Sequence, residues 1–306
     1  MVAPKDFAWS FVDVAVFDAN RVCLAAGHDE SLNKNVPVSL ITRWAGSWSS
    51  KTFDFAAVSL CIVTHPERSV LVAGNEGTVI RWDAQDFSQE HIDTSPEGPP
   101  SRGNIREIST IGKHAYAVGM GRMVYRCEGP ANWVRIDKSV RADFAAEPDA
   151  GFNSSAGFDE NEIYAVGWDG EIWGCIDQRW TRFDSPTTLA LHKVVCAPDG
   201  YVYALGKCGL IVRGRRDQWE VMSQDETSED FWGACWFRGA LYASTARGIF
   251  CFAEGKLRPV DTGIKLKPRA DCFYRLSAID GCIWSVGEKM VIRSTEGVVW
   301  DELPYS

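Results

Sequence analysis

Apolar positions along this 306-residue chain fall in short β-rich runs broken by turn residues, and the runs repeat. Each repeat centres on a run ending in a small residue: Leu24–Gly27, Val72–Gly74, Ala117–Gly119, Ala165–Gly167, Ala204–Gly206, Tyr242–Ser244 and Ser285–Gly287. The period is roughly 43 residues, which belongs to propellers and solenoids. Upstream of each lies another apolar run: Phe11–Phe17, Val58–Thr64, Ile105–Ile111, Phe152–Phe158, Leu189–Ala197, Phe231–Phe237 and Phe273–Ile279. Downstream comes a hairpin partner, as in Thr78–Arg81 and Ile211–Arg213. An aromatic run follows, marked by Trp48, Phe87, Trp133, Trp180, Trp219 and Trp300, with Leu257 in the sixth unit. Pairs such as Glu76-Gly77 and Asp169-Gly170 supply the positive φ of tight hairpins. Each unit therefore predicts four antiparallel strands. Seven units predict an all-β, seven-bladed β-propeller of four-stranded antiparallel blades. Six blades is the alternative, should the atypical sixth unit be misread. No stretch sustains a helical period; Val140–Ala150 contains Pro148 and reads as a loop.

No Pro/Ser/Gly linker interrupts the period, so residues 1–306 are expected to form a single propeller domain. The composition, 45% hydrophobic with 13 Trp, supplies material for layers between blades. No apolar run reaches the roughly 18 residues that span a bilayer. The start, Met1–Asp6, lacks the apolar segment of a secretory signal. The expectation is a cytoplasmic protein with no membrane partner. Its ten cysteines sit mostly inside apolar strands and are expected to be reduced core thiols.

The net charge of −9 argues against nucleic acid and favours a protein partner with a basic surface. The loop Asp225–Asp230 concentrates the negative charge, whereas Arg213–Arg216 reads as a solvated hairpin end. Catalytic chemistry is not legible. There is no nucleophile elbow, zincin helix, Walker loop or dinucleotide fingerprint. No cluster has metal-ligand spacing, and no cofactor is implied. The five histidines lie in different units; His192, in an inner strand, is the one placed to face a channel. Arg43, Arg81, Arg126, Arg213 and Arg293 occupy one equivalent repeat position, which marks them as blade-maintaining residues.

The phrases Tyr164–Ile172 and Tyr203–Ile211, each with a Gly-x-x-Gly hairpin and a following Trp, resemble bacterial propellers of the photosystem assembly-factor-like and neuraminidase-like repeat groups. The resemblance covers nearly the whole chain and implies the fold. The turns Gly129–Trp133, Ile176–Trp180 and Arg216–Trp219 are not Asp boxes. Only Trp82-Asp83 echoes a WD repeat, and there is no kelch Gly-Gly pair. No functional residue is carried over.

Binding residues tend to sit on loops held by a rigid scaffold. The loops joining second to third strands, and one blade to the next, share a face and vary most. They include the insertion His28–Pro37, the crossing Ser88–Gly103 and the crossing Lys138–Ala150 with Arg141, Phe144 and Glu147. On that face the candidate partner-binding residues are His28, Asn75, Glu76, Trp168, Asp169, Lys207, Arg247, Glu288 and Lys289. Trp168 stands out as a hairpin-tip Trp, the residue type most enriched at interface hot spots. The opposite face carries His65, His114 and Asp199 on short turns. A non-catalytic protein-binding scaffold is the leading reading, with a toxin-neutralising immunity protein as its concrete form. The alternatives are a hydrolase or lyase with a pocket at the channel mouth, and a small-molecule or carbohydrate binder.

Overall fold

The computed structural model describes residues 8–34, 37–83, 86–143, 146–267 and 272–305. Its strands form seven four-stranded sheets, each in chain order and antiparallel throughout. The architecture is a seven-bladed β-propeller. The blades span Trp9–Phe53, Ala57–His91, Ile105–Arg135, Phe152–Phe183, Leu191–Val221, Gly233–Val260 and Arg275–Glu302. The chain divides into two compact units. One, residues 58–223, holds blades two to five; the other, formed by the rest, holds blades one, six and seven. Short helices occur at Asp29–Lys34, inside the first-blade insertion, and at Pro99–Arg102, with prolines in its first turn.

The repeated glycine has a packing cause. A Cβ at Gly119, Gly167, Gly206 or Gly287 would lie 2.3, 1.8, 2.1 or 1.7 Å from a backbone carbonyl oxygen. In each case that oxygen, on Asn104, Gly151, Ala190 or Cys272, belongs to the chain entering the same blade's inner strand. The sixth blade solves the same crowding in reverse. Ser244 takes the glycine place, and its cross-strand neighbour is Gly233, where a Cβ would meet the Ser244 hydroxyl at 2.7 Å. The atypical unit is therefore a true blade. Three inner strands are shorter than the apolar runs, Leu191–Cys196, Gly233–Phe237 and Arg275–Ile279. The preceding Phe231 and Phe273 are buried within the crossings instead.

Neighbouring sheets bury their faces against each other. Leu71, Ala73 and Val79 of the second blade pack on Ile105, Ile108 and Tyr125 of the third. Tyr164 and Val166 of the fourth pack on Leu191, Val194 and Val202 of the fifth. Outer-strand tryptophans add a polar fastening to the blade before. Trp133 Nε1 donates to Glu90 (3.2 Å) and Trp180 Nε1 to the Ile136 carbonyl (3.0 Å). The first and seventh blades share no strand. They meet through Phe11, Val14 and Leu24 against Trp284, Val286 and Leu303, and Trp48 Nε1 donates to the Pro304 carbonyl (2.9 Å).

The repeated arginines serve the blades, and three of them pair with a glutamate of their own blade. Arg81 pairs with buried Glu90 (3.1 Å), Arg213 with Glu220 (2.5 Å) and Arg126 with Glu128. Arg293 donates to the Ala19 carbonyl (2.8 Å) and stacks on Trp44 and Trp284.

Candidate functional site

The second hairpin of blades three, four and five closes through two consecutive left-handed residues. These are Gly121-Arg122, Asp169-Gly170 and Cys208-Gly209, with φ values between 53° and 69°. That is the geometry of the primed turns that suit the strand twist. Each turn is locked by two backbone bonds; in the fourth blade Glu171 N–H donates to the Trp168 carbonyl and Gly167 N–H to the Glu171 carbonyl. The residue before each left-handed pair, such as Trp168 or Lys207, is thereby held at the loop end of its blade.

The two long crossings in the 58–223 unit are fastened rather than open. Glu97 takes both Arg102 (3.5 Å) of its own loop and Arg141 of the next crossing. Arg102 also donates to the Ala142 carbonyl (2.9 Å). Tyr125 donates its hydroxyl to Asp93 (3.1 Å), whose charge holds that phenol above its ordinary range on top of the effect of burial. Asp137 is fully buried, accepts Val124 N–H (3.3 Å) and lies 3.4 Å from Arg141. Burial pushes its carboxyl above the ordinary range, against the pull of Arg141. Arg122 joins the third-blade turn to Glu147 of the crossing and to buried Glu171 of the fourth blade (2.8 Å). Glu171 further accepts Trp173 Nε1 (3.1 Å) and Gly151 N–H (3.3 Å). The hydrogen bond from Arg122 holds the Glu147 carboxyl below its usual value. Phe144 lies outside the described residues.

The nine candidate residues divide between the two units. Asn75, Glu76, Trp168, Asp169 and Lys207 lie in residues 58–223. Asn75 lends its carbonyl to Ile105 N–H (2.8 Å), while the side chains of Glu76, Asp169 and Lys207 are exposed. Trp168 is half-buried rather than a solvent-facing tip. Its turn packs against the fifth blade's inner strand, and its ring sits 5.6 Å from the Arg106 guanidinium.

His28, Arg247, Glu288 and Lys289 lie in the other unit. Lys289 is engaged by Asp29 (2.5 Å) and the Trp9 carbonyl (2.7 Å). Glu288 accepts Phe11 N–H at its carbonyl (2.9 Å), and His28 stands edge-on to Trp9. Lys289 and Glu288 thus join the seventh blade to the first, while His28 packs within the first. Arg247 projects furthest, with 85% of its side chain exposed and Glu229 at 3.5 Å.

Residues the sequence reading passed over are Arg106, Asn153, Arg122 and Glu171. The sequence hint for Arg106 is the spacing of Ile105, Ile108 and Ile111, three apart, which breaks the period of two without saying which residue is inserted. Among the described residues no group of three His, Cys, Asp or Glu side chains could hold a metal ion. No helix among them is long and apolar enough to cross a membrane.

Fold and loop geometry together define a seven-bladed propeller scaffold with its variable loops at one end of the blades. Solved structures share it. The propeller titled YCF48 bound to D1 peptide matches with a TM-score of 0.68 over 96% of this chain and 94% of its own, at 15% identity. The WD40 propeller of Doa1 matches with a TM-score of 0.69 over 95% of each chain, at 13% identity. No family model matches. A curated relative does: the immune protein Tsi7 of Pseudomonas aeruginosa is 38% identical over 286 residues, covering 92% of each chain. The chain belongs to the family of that protein.

Proposed function

We propose that this protein is a non-catalytic immunity protein that neutralises a protein toxin by binding it. The observation that carries the reading is the family membership, 38% identity along 92% of both chains. Four finer parts belong to the proposal. The protein acts without catalysis; in support, the buried carboxylates Glu90, Glu107, Glu162 and Glu171 are all consumed by arginine or lysine within the fold. It works in the cytoplasm. Its partner presents a basic surface, which a net charge of −9 attracts over long range. The binding face is the one that carries the second-hairpin turns and the crossings, because rigid scaffolds place recognition on varied loops.

The test is co-expression with the toxin that the protein captures from its native host. The expected result is restored growth and a stable complex on size-exclusion chromatography. A protein that neither protects the cell nor forms the complex would overturn the reading.

A further inference from the structure

The inner strands of blades three, four and five share a feature that no turn motif announces. Each carries one extra residue near its loop end. Glu107 pairs with Val118 and Ile105 with Gly119, so Arg106 is the insertion. Asn153 and His192 hold the same place in the next two blades. A β-bulge re-aims a side chain and is over-represented beside functional sites. Arg106 is exposed between two buried neighbours, and Asn153 is half-buried between two buried ones.

Arg106 meets the fourth-blade turn, its guanidinium 5.6 Å from the Trp168 ring. The adjacent carboxylate is already occupied. Glu107 is buried, paired with Lys193 of the fifth blade and accepting Ser155 N–H of the fourth (2.7 Å). Lys207 is exposed at the turn position in the fifth blade that Trp168 holds in the fourth. The two turns bracket one crossing: Gly170 lies against Thr187, and Lys207 N–H donates to the Ala190 carbonyl (3.0 Å). Among the described residues no carboxylate lies within ion-pair distance of Arg106 or Lys207, whereas Arg81, Arg122, Arg141, Arg213 and Arg215 all have one. Three successive blades of a strongly acidic protein thus present cation, indole and cation at the same end.

We propose that Arg106, Trp168 and Lys207 anchor a carboxylate-bearing segment of the protein partner. The guanidinium accommodates the carboxylate through paired N–H donors. The indole face takes the apolar stem of the same Asp or Glu side chain. The inference rests on the protein-binding reading above and names the chemistry of its anchor. The acidic surface as a whole and this cationic spot act at different ranges. The net charge steers encounter out to about a Debye length, roughly 8 Å at physiological salt, whereas the patch acts on contact.

The test reads the indole N–H resonance of Trp168, assigned with Trp168→Phe, in the ¹⁵N spectrum of the whole protein at low salt. Three probes are titrated: acetyl-tetraglutamate amide, acetyl-tetralysine amide and an oligothymidylate of about eight nucleotides. The glutamate peptide is expected to shift the resonance saturably, and the lysine peptide is not. Arg106→Gln is expected to weaken the glutamate peptide about tenfold, and Arg106→Gln with Lys207→Gln to abolish its effect. If Arg106→Gln disturbs the spectrum globally, Lys207→Gln alone, on an exposed side chain, replaces it with a several-fold loss expected. The proposal is overturned by a missing or unsaturable glutamate shift, by a stronger lysine response, by variants that bind as wild type does, or by an oligonucleotide that binds more tightly than the glutamate peptide. No toxin enters this assay. Failure of the co-expression test with intact peptide binding sinks the immunity reading and leaves the patch standing.

Discussion

At the scale of single residues, the repeated glycine is a steric requirement rather than a dihedral one. Gly167 and Gly206 have extended φ, −161°, which any residue adopts. What excludes a side chain is the carbonyl oxygen at 1.8 or 2.1 Å from the Cβ position. Backbone cannot swing aside as a side-chain tip can, so Gly206→Ala is expected to cost about 2–3 kcal/mol of unfolding free energy. Gly239 is the control: its φ is +81°, and nothing lies within 4 Å of its Cβ position. Gly239→Ala is expected to cost about 1 kcal/mol, the left-handed penalty alone. Urea titrations of the two variants decide the matter, and equal losses would mean that the carbonyl contact is not the cause.

At the scale of elements, charged pairs fasten one blade to the next. Glu90 of the second blade is held by Arg81 and in turn accepts Ala131 N–H (2.6 Å) and Trp133 Nε1 (3.2 Å) of the third. Both members of the Arg81–Glu90 pair are buried. Arg81→Met strands the carboxylate and should destabilise the protein by about 3–5 kcal/mol, with a smaller loss when Glu90→Gln is added. A double-mutant cycle checks it, and an Arg81→Met loss below about 1 kcal/mol would contradict it. Glu162 of the fourth blade binds Arg215 (2.7 Å) of the fifth and accepts the Tyr164 hydroxyl (2.7 Å). The Arg215 hydrogen bonds, against the effect of burial, bring its carboxyl from the ordinary 4.5 down to about 2. The folded state therefore binds this proton later than the unfolded chain does. Its stabilising contribution is complete above pH 4.5 and is lost as pH falls toward 2. Glu162→Gln should flatten the fall of stability with pH in that window. An unchanged acid limb would show that the pair contributes nothing.

At the scale of the whole molecule, the first and last blades meet with no chain crossing between them, so side-chain contacts must do what the crossings do elsewhere. Tyr305 packs at a tilt on Trp48, ring centroids 4.6 Å apart, and shares its hydroxyl with Ser50 (2.8 Å) and Thr42 (3.2 Å). Tyr305→Ala is expected to lower the melting temperature by several degrees, about 1–3 kcal/mol, without changing the β-rich circular dichroism. A wild-type melting curve for the variant would show that the joint is held elsewhere. The ten cysteines give a second global readout, since all keep thiol side chains in the fold. Alkylation of the unfolded protein without reductant should add ten labels. In the native state Cys208, exposed in its turn, should react first. Cys23, buried and with its thiol pushed up to about 12 by burial, should be among the last. We also expect one unfolding transition by calorimetry, as a single domain requires. Two resolved transitions would give the two compact units separate stabilities.

What the sequence determined by itself was the blade. Short-range physics sets the alternation of strand and turn, the positive φ at Asp169-Gly170 and the place of Trp133, Trp180 and Trp219 on outer strands. A period repeated seven times makes such signals hard to misread, and Ser244 did not hide the sixth copy. Homology then carried the function further than any residue pattern could. Side-chain partnerships were decided only in three dimensions, because their members stand far apart in the chain. Lys289 looked like a surface cation and is bound to Asp29, 260 residues away. Trp168 looked like an exposed tip and lies half-buried beside Arg106. The bulge that presents Arg106 depends on how the Ile105–Ile111 strand registers with His114–Gly119, a choice made by packing. Periodicity fixes where strands are; tertiary packing fixes which charges are neutralised within the fold, and so which remain to face a partner.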